Sequence, residues 1–285
     1  MPKPSKRIQE IQERCLELAD TVKQREALSP ALLPLWPEGK RGTPNSFLRS
    51  ALFAAIQSKD RVYLQGVILA SHKKITVKFT GLQLNQEDLT LWETLVHLAR
   101  SHPLGNLCSF SGHEILKALK LSTGGEQHKR LHTAITRLNA CSVEITHEGK
   151  TYFGSLIEDG IKDEITSHYT IELNQKLIRL FGESQWTAID WQQRLRLRRK
   201  PLAQALHAHY SSHGDPHPVK LSTLQELTGS RNTQAADFKR KAKAALYELV
   251  EIGFLQSYDI ENDLVSVKRA LVAFSSKSEG TSLEP

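Results

Sequence analysis

The chain has 285 residues, an apolar share of 39% and a formal charge of +7. That length suits two domains better than one, and the basic balance favours a polyanionic partner, most simply nucleic acid, over an incidentally basic surface. Cys15, Cys108 and Cys141 are odd in number and lack C-x-x-C spacing, which argues against a disulfide framework or zinc knuckle, and no apolar run approaches the ~20 residues of a membrane span.

Residues 1–45 read as a flexible arm. Ile8, Ile11, Cys15, Leu18 and Val22 fall at helical spacing, so a short amphipathic helix is expected there. The arm lacks the apolar stretch of a signal peptide, so a cytoplasmic protein with reduced thiols is expected. Pro30, Pro34, Pro37 and Pro44 then forbid a helix interior. Leu32, Leu33, Leu35 and Trp36 lie among them, either as a docking peptide or packed on their own domain.

A first domain is expected over 46–183. Strands are predicted at 62–70 and 75–84, and a helix at 86–101 with Leu89, Trp92, Leu95, Val96 and Ala99 on one face. A short helix, a Gly/Ser turn and a longer basic helix follow from Ser111 to Leu138. Next, CSVEITHEGKTYFGSLIED reads as a hairpin turning at Glu148–Gly149, and a further strand is expected at 165–173.

A second domain is expected over 184–274, opening with a long helix at 186–213 that is broken or kinked at Pro201. SHGDPHP is a loop. From Ser222 to Leu249 the short-helix, turn, long-helix device recurs, and two strands, FLQSYDI and LVSVKRA, follow it. Residues 275–285 have no apolar pattern and are expected to be disordered. The fold class expected is therefore α+β, with two tandem winged-helix domains (a helix-turn-helix plus a β-hairpin wing) behind a flexible arm.

Both devices begin with a capping-box pattern, Ser111 with Glu114 and Ser222 with Gln225. In the second, Phe238, Ala242, Ala245, Leu246 and Leu249 form one apolar stripe. A recognition helix presents its N-terminal residues to base edges, where Arg suits guanine and Asn or Gln suits adenine. Arg231, Asn232, Gln234 and Arg240 are therefore the candidate base readers, and Lys239 and Lys243 the candidate phosphate contacts. In the first device Leu131, Ile135 and Leu138 form the core stripe. Lys129, Arg130, Thr133 and Arg137 are its candidate DNA contacts, with packing on a partner protein or second copy as the alternative. The densest basic run is RLRLRRK. Its Arg194, Arg196, Arg198, Arg199 and Lys200 are candidates for a phosphate track.

Other patterns carry little. Gly149–Lys150–Thr151 resembles the end of a P-loop, but Glu144 stands where the motif needs Gly. His207, His209, His213 and His217 lack supporting carboxylate or Cys spacing and read as loop and surface histidines. No catalytic constellation, metal site or cofactor site has a signature here.

PNSFLRSALF, HYSSHGDPHPVKLSTLQELTGS and GFLQSYDIENDLVSVKR, in that order, resemble the TrfA family of plasmid replication initiators, over roughly residues 34–270. The resemblance implies a non-enzymatic initiator with two winged-helix domains, the second of which holds the main reading helix. It implies binding to double-stranded origin DNA at direct repeats (iterons) and opening of adjacent AT-rich DNA, with single-stranded DNA as a further ligand. The partners it implies are host DnaA, the replicative helicase and the sliding clamp, together with a homodimer in equilibrium with monomer. The family carries a Gln-Leu-x-Leu-Phe type clamp peptide upstream of a Trp-Pro pair. Here Trp36–Pro37 follows ALSPALLPL, with Leu28 but without the Gln and Phe. The family also has longer forms, so the chain corresponds to a short form or lacks an extension. The alternatives are a dimeric winged-helix repressor, which would favour one inverted repeat, and a DNA-nicking enzyme, for which no signature is present.

Overall fold

The computed structural model describes Arg14 and residues 33–102, 105–182, 184–232 and 234–270. The amphipathic helix expected near residue 15 and the tail expected after 274 lie outside them. In chain order, β1 (Lys40–Pro44), a single-turn α1 (Asn45–Leu48) and β2 (Phe53–Ala54) precede a hairpin of β3 (Tyr63–Leu69) and β4 (Ile75–Leu82). Then come β5 (Leu84–Asn85), α2 (Gln86–Ala99), β6 (Leu107–Ser111), α3 (Gly112–Ala118) and α4 (Gly125–Asn139). They are followed by β7 (Ser142–His147), β8 (Lys150–Gly154), β9 (Ile157–Asp163), β10 (His168–Leu173) and a 3-10 segment, Gln175–Phe181. The remainder is β11 (Trp186–Asp190), α5 (Trp191–Arg196), α6 (Pro201–Ser211), β12 (Val219–Lys220), α7 (Leu221–Leu227), α8 (Ala235–Glu251), β13 (Leu255–Glu261) and β14 (Leu264–Arg269).

One six-element order occurs twice. In the first half it is α2–β6–α3–α4–β9–β10, with sheet order β6-β10-β9; in the second it is α6–β12–α7–α8–β13–β14, with sheet order β12-β14-β13. Both sheets are antiparallel. The first copy has an insertion: β7 and β8 leave it and join β3 and β4 in a separate four-stranded sheet. The hairpin expected over 141–159 therefore ends at Gly154, and residues 157–163 pair with β10 instead. Its turn holds Glu148 and Gly149 at φ 50° and 75°. Consecutive positive φ values match the strand twist in a two-residue connection.

Each helix buries the face its apolar spacing specifies. Leu89, Trp92, Leu95, Val96 and Ala99 of α2 are buried, as are Leu131, Ile135 and Leu138 of α4. Phe238, Ala242, Ala245, Leu246 and Leu249 of α8 are buried likewise. The helix starts differ. Ser111 closes its capping box with Glu114, whereas α7 begins at Leu221 with Lys220 at the N-cap and no side-chain cap bond. Ser222 lies inside the helix, and Gln225 instead donates to the carbonyl of Asn232.

Two hydrophobic clusters form. One draws on residues from Leu33 to Leu195 plus Ala208; the other runs from Leu197 to Val265. Residues 33–45, expected as part of an arm, belong to the first. Leu33 and Trp36 are buried there, and β1 pairs with β11. Trp36 stacks on Phe181 and lies against Gly42, where an added Cβ would come within 2.5 Å of its ring. Its indole N–H donates to His97 Nδ1 at 3.0 Å, so His97 carries its proton on Nε2, which faces Glu38 Oε2 at 3.0 Å. Residues 186–190, expected as helix, form β11 because β1 supplies a ladder. Asp190 then caps α5 by accepting from the Gln193 amide. Pro201 starts α6 in its first turn, where its missing N–H is harmless.

The interior of the first half contains charge. Arg194 Nε lies 2.6 Å from Glu93 Oε2, and both side chains are fully buried. Arg194 also donates to the carbonyl and side-chain oxygen of Gln86, and Glu93 accepts from Thr43. Desolvation pushes the Glu93 carboxyl up and the Arg194 guanidinium down, and their attraction opposes both shifts. His207 and His209, read as surface residues, are buried in α6 and held neutral by desolvation, each at about 3. Desolvation and the positive Arg41 likewise lower His97 to about 4. The Cys108 and Cys141 thiols are buried and pushed up to about 12 and about 11.

Removing one partner of a buried pair strands the other charge. Glu93→Ala should therefore lower the unfolding free energy by about 3–5 kcal/mol in urea titrations. A second expectation concerns acid. The three histidines are neutral when folded but protonate near 6.5 when unfolded, so the unfolded state binds more protons below that pH. Stability should be complete above about pH 6.5 and decline as pH falls through 5 towards 4. Urea midpoints at pH 7.5, 6 and 5 check this, and replacing His207 and His209 by Gln should flatten the decline.

Candidate nucleic-acid interface

Burial of the α8 stripe dictates what the helix shows to solvent. With Phe238, Ala242 and Leu246 inward, the 3.6-residue repeat turns Ala236, Lys239, Arg240, Lys243 and Tyr247 outward, and all five are exposed. Lys243 forms no ion pair among the described residues. Arg240 meets Asp237 at 2.7 Å and keeps 73% of its side chain exposed, while Lys239 meets Asp263 at 3.0 Å with 49% exposed. Lys241 also reaches Asp237, and hydrogen bonds from both cations hold that carboxyl below the usual range. Exposed pairs of this kind are screened by solvent and weak, so they can be exchanged for other anions at little cost. Gln234 stands exposed at the N-cap of α8.

The residues just before α8 are placed otherwise. Arg231 turns to the first half of the molecule and donates to the Asp60 carbonyl at 2.7 Å and to Gln83 Oε1 at 2.5 Å. The Asn232 side chain donates to Ser230 Oγ and accepts from Lys241 Nζ. Neither is free to read a base in this arrangement. Thr233 lies outside the described residues.

The run at 194–200 is divided among several contacts and does not form a phosphate track. Arg194 is interior, as described. Arg196 donates to the carbonyls of Ile252 and Glu251 at the end of α8. Arg198 donates to the Leu119 carbonyl at the end of α3. Lys200 meets Glu248 of α8 at 2.5 Å. Arg199 is exposed, with φ at 64°. Sequence spacing could not reveal this, because the acceptors lie far away along the chain.

On α4, Lys129, Arg130 and Thr133 are exposed, with Arg130 paired to Glu126 across one turn. Arg137 points the other way and grips Asp88 with two nitrogens, at 2.6 and 3.1 Å. Asp88 also takes Arg61 at 2.7 Å and closes the capping box of α2 with Asn85. The N-x-x-D pattern at Asn85–Asp88 was the available signal for that role.

A cleft of about 710 Å³ opens between the 55–60 loop, the start of α6 and the flank of α8. Lys200, Arg231, Arg240 and Lys241 line it, and each is already engaged by an acid or a carbonyl. No group of three or more His, Cys, Asp or Glu is placed to hold a metal among the described residues, and no described helix is long and apolar enough to cross a membrane.

Comparison with known proteins places this architecture. The solved structure of domains 2 and 3 of RctB, as selenomethionine derivatives, superposes with a TM-score of 0.55 at 13% identity, covering 80% of this chain and 99% of that one. A second RctB domain 2–3 structure gives 0.51 at 12% identity, with coverages of 77% and 95%. At such identities the likeness is one of fold. In sequence, the Escherichia coli plasmid replication initiator protein TrfA is 27% identical over 278 residues, which is 93% of this chain and 71% of that protein. The family model described as TrfA protein matches residues 5–269, and the chain therefore belongs to the TrfA family.

Proposed function

We propose that the chain initiates plasmid replication by binding direct repeats in origin DNA. The repeated six-element unit is read as a winged helix in both halves, with β9–β10 and β13–β14 as the wings. The observation that carries the reading is α8 in a TrfA-family chain: a long helix with its apolar stripe buried and a cationic arc left outward. Arg240 and Gln234 are assigned to base edges, and Lys239 and Lys243 to phosphates. Lys129, Arg130 and Thr133 on α4 are assigned a second, backbone contact, and Arg199 a phosphate.

The chain acts on this reading without covalent chemistry; binding free energy drives opening of the adjacent duplex. Host DnaA and the replicative helicase are its expected partners in the cytoplasm, with homodimer and monomer in exchange. A sliding-clamp contact through residues 27–37 is constrained, because Leu33 and Trp36 occupy the protein's own core while Leu35 is 88% exposed.

A nuclease footprint of the purified chain on its own origin should protect several evenly spaced direct repeats. A single protected palindrome would replace the initiator with a dimeric repressor. Arg240→Ala should weaken binding by about 1–3 kcal/mol and relax preference at one base pair. Lys243→Ala should weaken binding to all duplexes alike and reduce the salt slope by about 1. Arg194→Ala should leave the salt slope untouched.

A further inference from the structure

The two halves are joined by built contacts, and one group of these lies at the turn before α8. The Ala55 amide donates to the Thr228 carbonyl at 2.7 Å. Gly229, at φ 60°, lies so close to the first half that an added Cβ would come within 2.8 Å of Ala54 Cβ. Arg231 completes the contact with its two bonds to Asp60 and Gln83. Gln83 is itself fixed, since it is buried and its carbonyl accepts from Arg61. A planar guanidinium with two acceptors in a set direction has little freedom to swing.

A second bracket lies in the basic run. Arg194 and Leu195 enter the interior of the first half, while Leu197 enters that of the second. Arg198 then holds α3 of the first half, and Arg196 and Lys200 hold α8 of the second. Arg49 adds a third link, donating to Ser212 Oγ at 3.1 Å.

We propose that Arg231 is a positioning residue which fixes α8 relative to the first half, and so sets the spacing between the DNA segments that the two halves contact. The proposal rests on the DNA-binding reading above. A base-pair insertion moves one segment by about 3.4 Å along the axis and about 35° around it. A rigid reader cannot follow that displacement, whereas a loosened one can. Arg231 acts here through its acceptors, so Gln83, which is buried in the first half, shares the role.

The test uses the full chain as wild type, Arg231→Ala, Arg231→Lys and Gln83→Leu. In a Cys15→Ser background, spin labels at Lys117→Cys and Glu226→Cys report the distance between the halves; Cys108 and Cys141 are buried. Wild type should give one narrow distribution. Arg231→Ala should broaden it most, and Arg231→Lys and Gln83→Leu, each of which keeps one bond, should fall between. Gel shifts then use duplexes carrying one footprinted repeat, intact or with one base pair inserted at successive steps. For wild type, insertion in the middle should cost roughly tenfold or more in affinity. In Arg231→Ala the ratio of intact to inserted affinity should fall towards one, and in Gln83→Leu it should fall part of the way.

If Arg231→Ala alone loses affinity, at one base position, with Gln83→Leu like wild type, Arg231 is a base reader and the proposal fails. Unchanged label distances in both variants overturn it as well. Failure of the wild-type chain to bind any repeat would overturn the DNA reading itself, while the label distances judge the Arg231 contact separately. Far-UV circular dichroism identifies a variant that has not folded, and Arg231, at the surface, leaves both cores filled.

Discussion

Glu93 and Arg194 meet where the two halves of the molecule have to be joined. The pair lies out of water, between the helix that organises the first core and the segment leading to the second. Arg194 also binds Gln86, two helical turns nearer the start of α2, while Glu93 holds Thr43 of β1. Three elements distant in sequence are thereby fixed to one another. Such a pair contributes little net stability compared with an apolar replacement, but it is intolerant of losing one member. Its effect is to specify one arrangement: α5 can leave the first half in the direction that keeps Arg194 on Glu93.

From that point the cations divide by location. Near the junction, Arg194 goes to Glu93, Arg196 and Arg198 to carbonyls at helix ends and Lys200 to Glu248 of α8. On the outward arc of α8 and α4, Lys239, Arg240 and Arg130 sit in exposed, weak pairs, and Lys243 and Lys129 form no ion pair among the described residues. The first group holds the shape; the second is accessible to an anion. A net charge of +7 cannot distinguish the two. Asp88 belongs to the same logic, with two arginines and a helix start gathered on one carboxylate.

The two copies of the repeated unit share a framework but differ at the surface. The β9–β10 hairpin bears Glu158, Asp159, Asp163 and Glu164, which disfavour a phosphate backbone, and exposes Ile161 and Ile165. The β13–β14 hairpin also bears acids, Asp259, Glu261 and Asp263, together with Lys268 and Arg269. Arg269 packs over Phe254 and donates to the His213 carbonyl. Both hairpins are therefore mixed in charge, and the exposed isoleucines of the first are the clearer difference between them.

Local pattern alone determined the helices, most strands and the inward stripes. Apolar spacing of 3.6 or 2 states which face must leave water wherever the chain is packed. That is why Phe238 to Leu249 and Leu131 to Leu138 were legible, and why the exposed arc of Lys239, Arg240 and Lys243 followed by subtraction. Tertiary structure decided the rest. Residues 186–190 became a strand because β1 lay ready to pair. Residues 157–163 went to a different sheet from β7 and β8. Arg137, Arg194 and Arg231 left the candidate interface for Asp88, Glu93 and Gln83. A charged side chain goes to the partner that lowers its free energy most, and those partners were 49, 101 and 148 positions away. Periodicity fixes which way a residue points on its own element; it carries no information about what another element places opposite.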